Sequence, residues 1–361
     1  MNPKLLFQFK SPTLCLIQII ALLRLLLGNY INLGHSKLTR FLTKLYCVCV
    51  CSSIVSMYIL SLSERALFPV YSFIIIDYTC AVILSIIFGY DRYPAFLAAN
   101  MTNDRIIGFK INLSLTNYAI LSIYGSAFLR ICLIIAHFLS HPSSILAFCS
   151  ITCAIAATDV NYIAVIIIFT MLHRRMKNLR TFLETNSIPI NITGQDEIAI
   201  SITNVRKSLL YYNNLLDNFQ SLDELLQYAV SKYTIWRMFQ ITINWITNFS
   251  RTCVVVYFFV QHIIAQLYPS LVLISSPAII VETIMYEVDR IKETLTTQIL
   301  RCSDECLRFE LQTALQYVRL RPFRYTLCRA VPLDINLLFT TAALCITYVI
   351  VALQLTHFSA Y

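Results

Sequence analysis

From Ile335 to Leu355 the chain carries no charged residue. At about 1.5 Å per residue a helix of that length crosses a hydrocarbon core of about 30 Å. The run is nevertheless not apolar all round. Thr347, Val351, Gln354, Leu355 and Phe358 follow helical spacing and share one face. A carboxamide facing lipid finds no partner for its donors and its acceptor. The Gln354 face is therefore expected to look at protein or at a water-filled path.

The rest of the chain is built to match. Its 361 residues are 58% hydrophobic and 13% charged, against about a quarter charged in soluble proteins. That balance implies an all-α polytopic membrane protein whose mass lies in one helical bundle. Seven spans are expected, at 41–62, 67–90, 116–139, 145–172, 239–264, 271–288 and 333–357. Residues 1–38 form an amino-terminal segment, in which 13–32 is too short and too interrupted, by Arg24 and Gly28, to count as a span. It is expected to lie as a helix on the cytoplasmic surface. The seven-helix domain then occupies 39–361.

The formal charge of +9 invites a nucleic-acid reading, but the basic residues fall in the gaps between apolar runs. Arg174, Arg175, Lys177, Arg180, Arg206, Lys207, Lys232 and Arg237 crowd the gap at 173–238. Another set from Arg290 to Arg329 crowds the gap at 289–332, whereas the gaps near His141 and Tyr268-Pro269 have none. Basic loops stay in the cytoplasm, which puts the amino terminus inside and the carboxy terminus outside. Asp91-Arg92-Tyr93 matches the triplet of rhodopsin-like G-protein-coupled receptors, but it follows the second span instead of the third, and the last span has no proline. Arg92 reads instead as a cytoplasmic anchor. The same orientation leaves the glycosylation acceptors at Asn100 and Asn112 in the cytoplasm, without glycan.

Both basic gaps read as helices. Val205, Leu209, Tyr212, Leu216 and Phe219 make one apolar stripe, and Leu307, Leu311, Ala314, Leu315 and Val318 make another. Neither stripe is stable alone in water, so each is expected to pack on neighbouring helices or subunits.

No enzyme is legible in this sequence. His137 and His141 lack a third ligand, Cys302 and Cys306 lack a second pair, and the six glycines form no phosphate loop. No metal or cofactor is expected. Most of the thirteen cysteines, Cys47, Cys51 and Cys149 among them, fall in apolar runs and read as buried small hydrophobes. Ionisable residues inside spans are the exception to the apolar pattern: Asp77, Arg130, Asp159, Arg251 and Glu282. Unpaired, each costs about 2.5–3.5 kcal/mol at a helix centre. Asp77, Arg130 and Arg251 lie at similar depth with Asp159 somewhat deeper, so two opposite-charge pairs can form, Asp77 with Arg130 among them. The charges and Tyr71, Tyr78, Tyr124, Asn161, Tyr162, Tyr257 and Ser275 are candidates for the wall of a polar cavity open to the outside, suited to a small organic ligand. A purely structural role for the charges carries equal weight at this point.

The segments Asp334-Ile335-Asn336-Leu337-Leu338 and TYVIVALQL, Thr347 to Leu355, resemble the carboxy-terminal signature of insect gustatory receptors, in which Thr-Tyr, five apolar residues and Gln-Phe follow one another. Leu355 stands where that family usually has Phe. The resemblance implies the insect chemoreceptor channel fold: a tetramer, homomeric or shared with related receptors, in the plasma membrane of sensory neurons. It implies a ligand-gated, non-selective cation channel whose pore is lined by the last helix, 333–357, with Val351, Gln354 and Leu355 at the narrowest part and Thr347 along it. The helices of 173–238 and 289–332 would form the cytoplasmic anchor between subunits. Many sugar-receptor members carry Glu directly after Thr-Tyr, where this chain has Val349. That difference points to bitter-type tastants. The alternatives are a sugar-responsive or odorant-type member, or a non-conducting coupled receptor.

Overall fold

The computed structural model describes residues 12–31, 36–61, 68–88, 92–109, 117–140, 145–188, 194–249, 256–327 and 331–337, and further on 339, 340, 343, 346, 347, 350, 351 and 354; at 223–249 and 256–274 it describes the backbone alone. The chain is helical almost throughout: α1 (Pro12–Leu26), α2 (Lys37–Leu60), α3 (Phe68–Phe88), α4 (Arg92–Ile107), α5 (Asn117–Ser140), α6 (Ile145–Thr185), α7 (Gln195–Phe249), α8 (Val256–Arg301) and α9 (Glu305–Leu320). Thr326–Leu327 and Val331–Pro332 pair as a two-residue antiparallel ladder, and the described residues from Ile335 to Gln354 are helical.

Local chemistry sets the helix ends. Ser36 caps α2 by accepting from the Thr39 amide at 3.0 Å, and Asp304 caps α9 by accepting from Leu307 at 2.8 Å. Glu305 in the first turn of α9 and Arg319 in its last suit the helix dipole. Asp334 accepts from Leu337 N–H at 3.1 Å and starts the carboxy-terminal helix, which gives the Asp334 motif a structural reason. Gly28 and Gly108 follow α1 and α4 at φ 82° and 78°, with the paired bonds of a Schellman ending, Asn29 N to Arg24 O and Phe109 N to Asp104 O.

The hub is α6, which packs on α1, α2, α3, α5, α7 and α8. Its consecutive residues Ala164 to Leu172 are buried on every side. A second core joins Cys51, Ile54 and Tyr58 of α2 to Ile74, Tyr78 and Val82 of α3 and Ile151 and Ala154 of α6. The outer surface is the reverse of a soluble protein's. Phe41, Leu42, Leu45 and Val48 on α2, Ile76, Ile83 and Ile87 on α3, and Leu121, Phe128, Ile131 and Ile135 on α5 all face outward. Monomers in water rarely expose that much apolar surface; helices bathed in hydrocarbon do so at no cost. Among the described residues, α2 and Phe148–Thr185 of α6 are long and apolar enough to cross a membrane.

Both amphipathic stripes are observed. Leu307, Leu311, Ala314, Leu315 and Val318 are buried on α9, as are Val205, Tyr212, Leu216 and Phe219 on α7, with Leu209 packed partly against the same core. The helix that contains the span expected at 145–172 runs on to Thr185, into the gap read as helical, and its charged turns beyond Leu172 pack on α7 and α8. Two features differ from the sequence expectation. No turn interrupts the chain at Tyr268-Pro269: α7 ends at Phe249, and α8 carries through Pro269 and Pro277 to Arg301. Proline removes one helix hydrogen bond, a loss that neighbouring helices and hydroxyls make good inside a bundle.

The amino-terminal segment packs one face on the bundle and leaves Ile19, Leu22, Leu23 and Leu26 of α1 exposed. Arg24, Asn29, Tyr30 and Ile31 are buried in the bundle. There the Tyr78 hydroxyl donates to Leu27 O at 2.9 Å and the Tyr30 amide to Ser85 Oγ at 3.0 Å. A Cβ on Gly28 would lie 2.8 Å from the Tyr78 oxygen, so the turn needs glycine for space as well as for φ. The second difference concerns the cysteines. Cys47 and Cys51 are buried, but Cys49, Cys80, Cys132 and Cys149 are exposed on the apolar exterior.

Candidate functional site

Arg130 on α5 pairs with Asp159 on α6, not with Asp77. Its Nε lies 2.7 Å from Oδ2 and its Nη2 3.2 Å from Oδ1, with the side chains only 13% and 12% exposed. Depth along the helices had argued against this pairing. Arg130 lies about 15 Å from the α5 end at Ser140, and Asp159 about 21 Å from the α6 start at Ile145. The long arginine side chain closes that gap, and its planar fork meets both carboxylate oxygens. Asp77 is buried on α3, away from this clasp.

The other candidates separate into three groups. Asn161, two residues on from Asp159 along α6, belongs to the α1 junction: it accepts from Arg24 Nε at 2.9 Å and donates to Asn29 Oδ1 at 3.1 Å. Tyr78 serves the same junction through Leu27, and Tyr162 beside it is buried. These residues tie α1 to α3 and α6. Tyr124 faces outward, 62% exposed; Ser275 is half-buried and Glu282 exposed on α8. Arg251 lies outside the described residues, as do the side chains of Tyr71 and Tyr257. Of the four pore candidates, Thr347, Val351 and Gln354 are exposed in the single chain, and Leu355 lies outside the described residues. Asn336, Thr340, Ala343 and Ile350 share that exposure, so the described part of the last helix presents a continuous uncovered face.

Polar centres that sequence reasoning missed lie at the other end of the bundle. Asp104 on α4 receives Arg175 Nη2 at 2.9 Å and Nε at 3.1 and 3.2 Å, and the Tyr211 hydroxyl at 2.8 Å. All three side chains are buried. Burial, then the Asp104 carboxylate, push the Tyr211 phenol up, which keeps it a donor. Phe109 closes the same joint, edge-on to Phe182 and Tyr211. On α8, the buried Glu287 forms an ion pair with Arg180 of α6, Nε to Oε2 2.7 Å, without hydrogen-bond alignment, and stands 3.8 Å from His173 Nε2. Burial, then Lys177 and Arg174, hold the His173 pKa down at about 4. Arg321 joins α9 to α7 through Asp217 at 2.5 Å and through Asn213, which also receives the Tyr317 hydroxyl. Ahead of the last helix, Tyr325 packs edge-on to Phe169 and Phe219, and Phe323 packs on Phe219. Arg175 had read only as one of a crowd of basic residues, and α4 has no apolar stripe to announce it.

Asn100 is wholly buried on α4, so the folded packing leaves no room for a glycan on its amide; Asn112 lies outside the described residues. Among the described residues no three His, Cys, Asp or Glu side chains gather to hold a metal.

One solved structure reproduces this helical arrangement almost end to end. The insect olfactory receptor OR5 from Machilis hrabei, solved in complex with eugenol, superposes with a TM-score of 0.66, covering 94% of this chain and 98% of its own. This chain has the fold of an insect olfactory receptor. Identity between the two is 12%, so the likeness lies in helix order and packing. No family model matches the sequence, and no curated protein matches it. Within that fold, the Arg130–Asp159 clasp, the α1 junction and the exposed last helix are candidate functional features among the described residues.

Proposed function

We propose that this chain is a gustatory-type insect chemoreceptor, one subunit of a ligand-gated, non-selective cation channel for small organic tastants, bitter plant compounds foremost. The observation that carries the reading is the uncovered face of the last helix, with Thr347, Val351 and Gln354 on it. In a lone membrane helix that placement leaves the Gln354 amide in hydrocarbon without partners. Four copies around a shared axis turn the same face to water. Apolar Val351 rings can then dewet a closed pore, and a Gln354 ring offers uncharged dipoles to a passing cation. The fold likeness over nearly the whole chain and the resemblance of TYVIVALQL to the gustatory signature support the same assignment.

In this reading the spans are α2, α3, α5, the first part of α6, the last part of α7, the first part of α8 and the carboxy-terminal helix. The amino terminus is cytoplasmic and the carboxy terminus extracellular. The joints built on Asp104, Glu287 and Arg321 are then cytoplasmic, and the protein works in the plasma membrane of sensory neurons. A second reading, an odorant-type receptor, draws on the neighbour of this fold that carries eugenol.

Currents from cells expressing only this chain, challenged in turn with bitter compounds, sugars and volatile aromatics, separate these ligand classes. For the pore, Gln354→Glu should raise calcium permeability relative to sodium, and Gln354→Lys should suppress cation current. Unchanged selectivity in both variants, at normal surface expression, removes Gln354 from the ion path.

A further inference from the structure

The joint between α4 and α7 contains hydrogen-bonding groups that the protein itself does not satisfy. Asn100 is 0% exposed, yet neither its Nδ2 nor its Oδ1 has a partner. Exchanging the two atoms of the amide changes nothing, because both are orphaned. One turn on, Asn103 is also buried; its Oδ1 accepts from Asn214 Nδ2 at 3.3 Å, but its own Nδ2 has no partner. The next residue, Asp104, is saturated by Arg175 and Tyr211. The unmet capacity is therefore confined to two amides on one face of α4.

Orphaned amides in a close-packed joint are costly, and native proteins rarely tolerate them without a water or an ion. The neighbouring ion pair is neutral overall, so nothing nearby calls for an ion. What is missing is a small group that both donates and accepts. Side chains three apart on a helix stand about 5–6 Å apart at Cβ, and two hydrogen bonds of about 2.8–3.0 Å in series span that distance. A buried water needs two to four polar partners, and the two amides supply three orphaned atoms. We propose that the α4–α7 joint holds an ordered water bridging Asn100 and Asn103, as a built part of the fold. The water makes Asn100 a positioning residue that seats α4 beside the Asp104–Arg175–Tyr211 centre.

The sign of one substitution decides between a wet and a dry joint. Asn100→Leu is close in volume and removes both orphaned atoms of that residue. If the joint is dry, the leucine relieves two unmet groups and the full-length protein melts at a higher temperature in detergent. If a water is bound, the substitution strips it of its partners and strands Asn103, so Tm falls by about 2 °C or more. Adding Asn103→Leu gives up the 3.3 Å bond from Asn214 but removes the remaining stranded amide and recovers part of the loss. A map of the full-length protein that resolves waters should place a peak within about 2.7–3.2 Å of the Asn100 amide. A stabilising Asn100→Leu, or an empty site in such a map, overturns the proposal. Should Asn100→Leu alone fail to fold, the double variant decides: recovery of folded protein supports the water, and continued failure rejects it.

Discussion

Removing either partner of the Arg130–Asp159 clasp should be far more damaging than removing both. The carboxylate and guanidinium are each almost nine-tenths buried and meet through two hydrogen bonds. Arg130→Met takes the two-point guanidinium contact away from the buried Asp159 carboxylate, at a cost of about 3–5 kcal/mol. For a chain of this size that is on the order of 10 °C in Tm. Arg130→Met with Asp159→Leu replaces the pair by apolar side chains of similar volume and should lie within about 1 kcal/mol of the native protein. Arg130→Lys keeps the charge but loses the two-point fork and should fall between. The assay is thermal unfolding of the full-length protein in detergent, followed by size-exclusion fluorescence, with surface labelling to check delivery to the membrane. Asp77 is the control: Asp77→Asn should not rescue Arg130→Met, because Arg130 does not meet it. Single variants that each cost under about 1 kcal/mol, or a double variant no better than the singles, would refute the reasoning.

Leu311 is wholly buried on α9, so Leu311→Ala should destabilise by about 2–5 kcal/mol; a loss below about 1 kcal/mol by the same melting assay would place α9 off the core. Tyr211→Phe removes the 2.8 Å hydroxyl bond to Asp104 and should cost about 1.5–3 kcal/mol, the range for a bond to a charged acceptor, and an unchanged Tm would argue that the hydroxyl is idle. His173 is held neutral, its pKa lowered from 6.5 to about 4. The unfolded chain therefore binds the proton first, and the stability that His173 contributes is complete above about pH 6.5 and lost as pH falls towards 4. Two and a half units set a ceiling of about 3 kcal/mol, which the Glu287 carboxylate 3.8 Å away reduces by welcoming the proton. His173→Gln should flatten this acid limb of Tm against pH, and an equal acid slope in the variant would assign it to other groups.

Much of the architecture was legible because it is written in local periodicity. The α9 stripe from Leu307 to Val318 and the α7 stripe from Val205 to Phe219 repeat every three or four residues, and a helix buries that face whatever surrounds it. The uncharged run from Ile335 to Leu355 likewise shows by length alone that it could cross a membrane, and its polar face by spacing. Hydropathy could not separate lipid from protein interior. Residues 13–32 satisfy either setting, and only the fold places Arg24 and Asn29 against Asn161. Nor could it find α4, whose buried face mixes apolar Phe96 and Leu97 with polar Asn100, Asn103 and Asp104.

Partner choice was the least legible property. Spacing gives the depth of Arg130 and Asp77 along their helices, but a salt bridge also depends on how α3, α5 and α6 are rotated and stacked. A flexible arginine tolerates several ångströms of axial offset, so Asp159, offset by about 6 Å along the bundle, is within its reach. The turn expected at Pro269 failed for a related reason. A proline's local cost is fixed by its ring, but whether the helix breaks there depends on what packs around it, and that is decided by the other helices of the bundle. The sequence by itself therefore determined which segments are helical, which of their faces are apolar and which run is long enough to span a membrane, since each depends on neighbours along one helix. The tertiary structure alone decided which buried charges meet, where α1 inserts and whether α8 stays whole, because those outcomes depend on surfaces that are distant in the chain and come together only when the bundle closes.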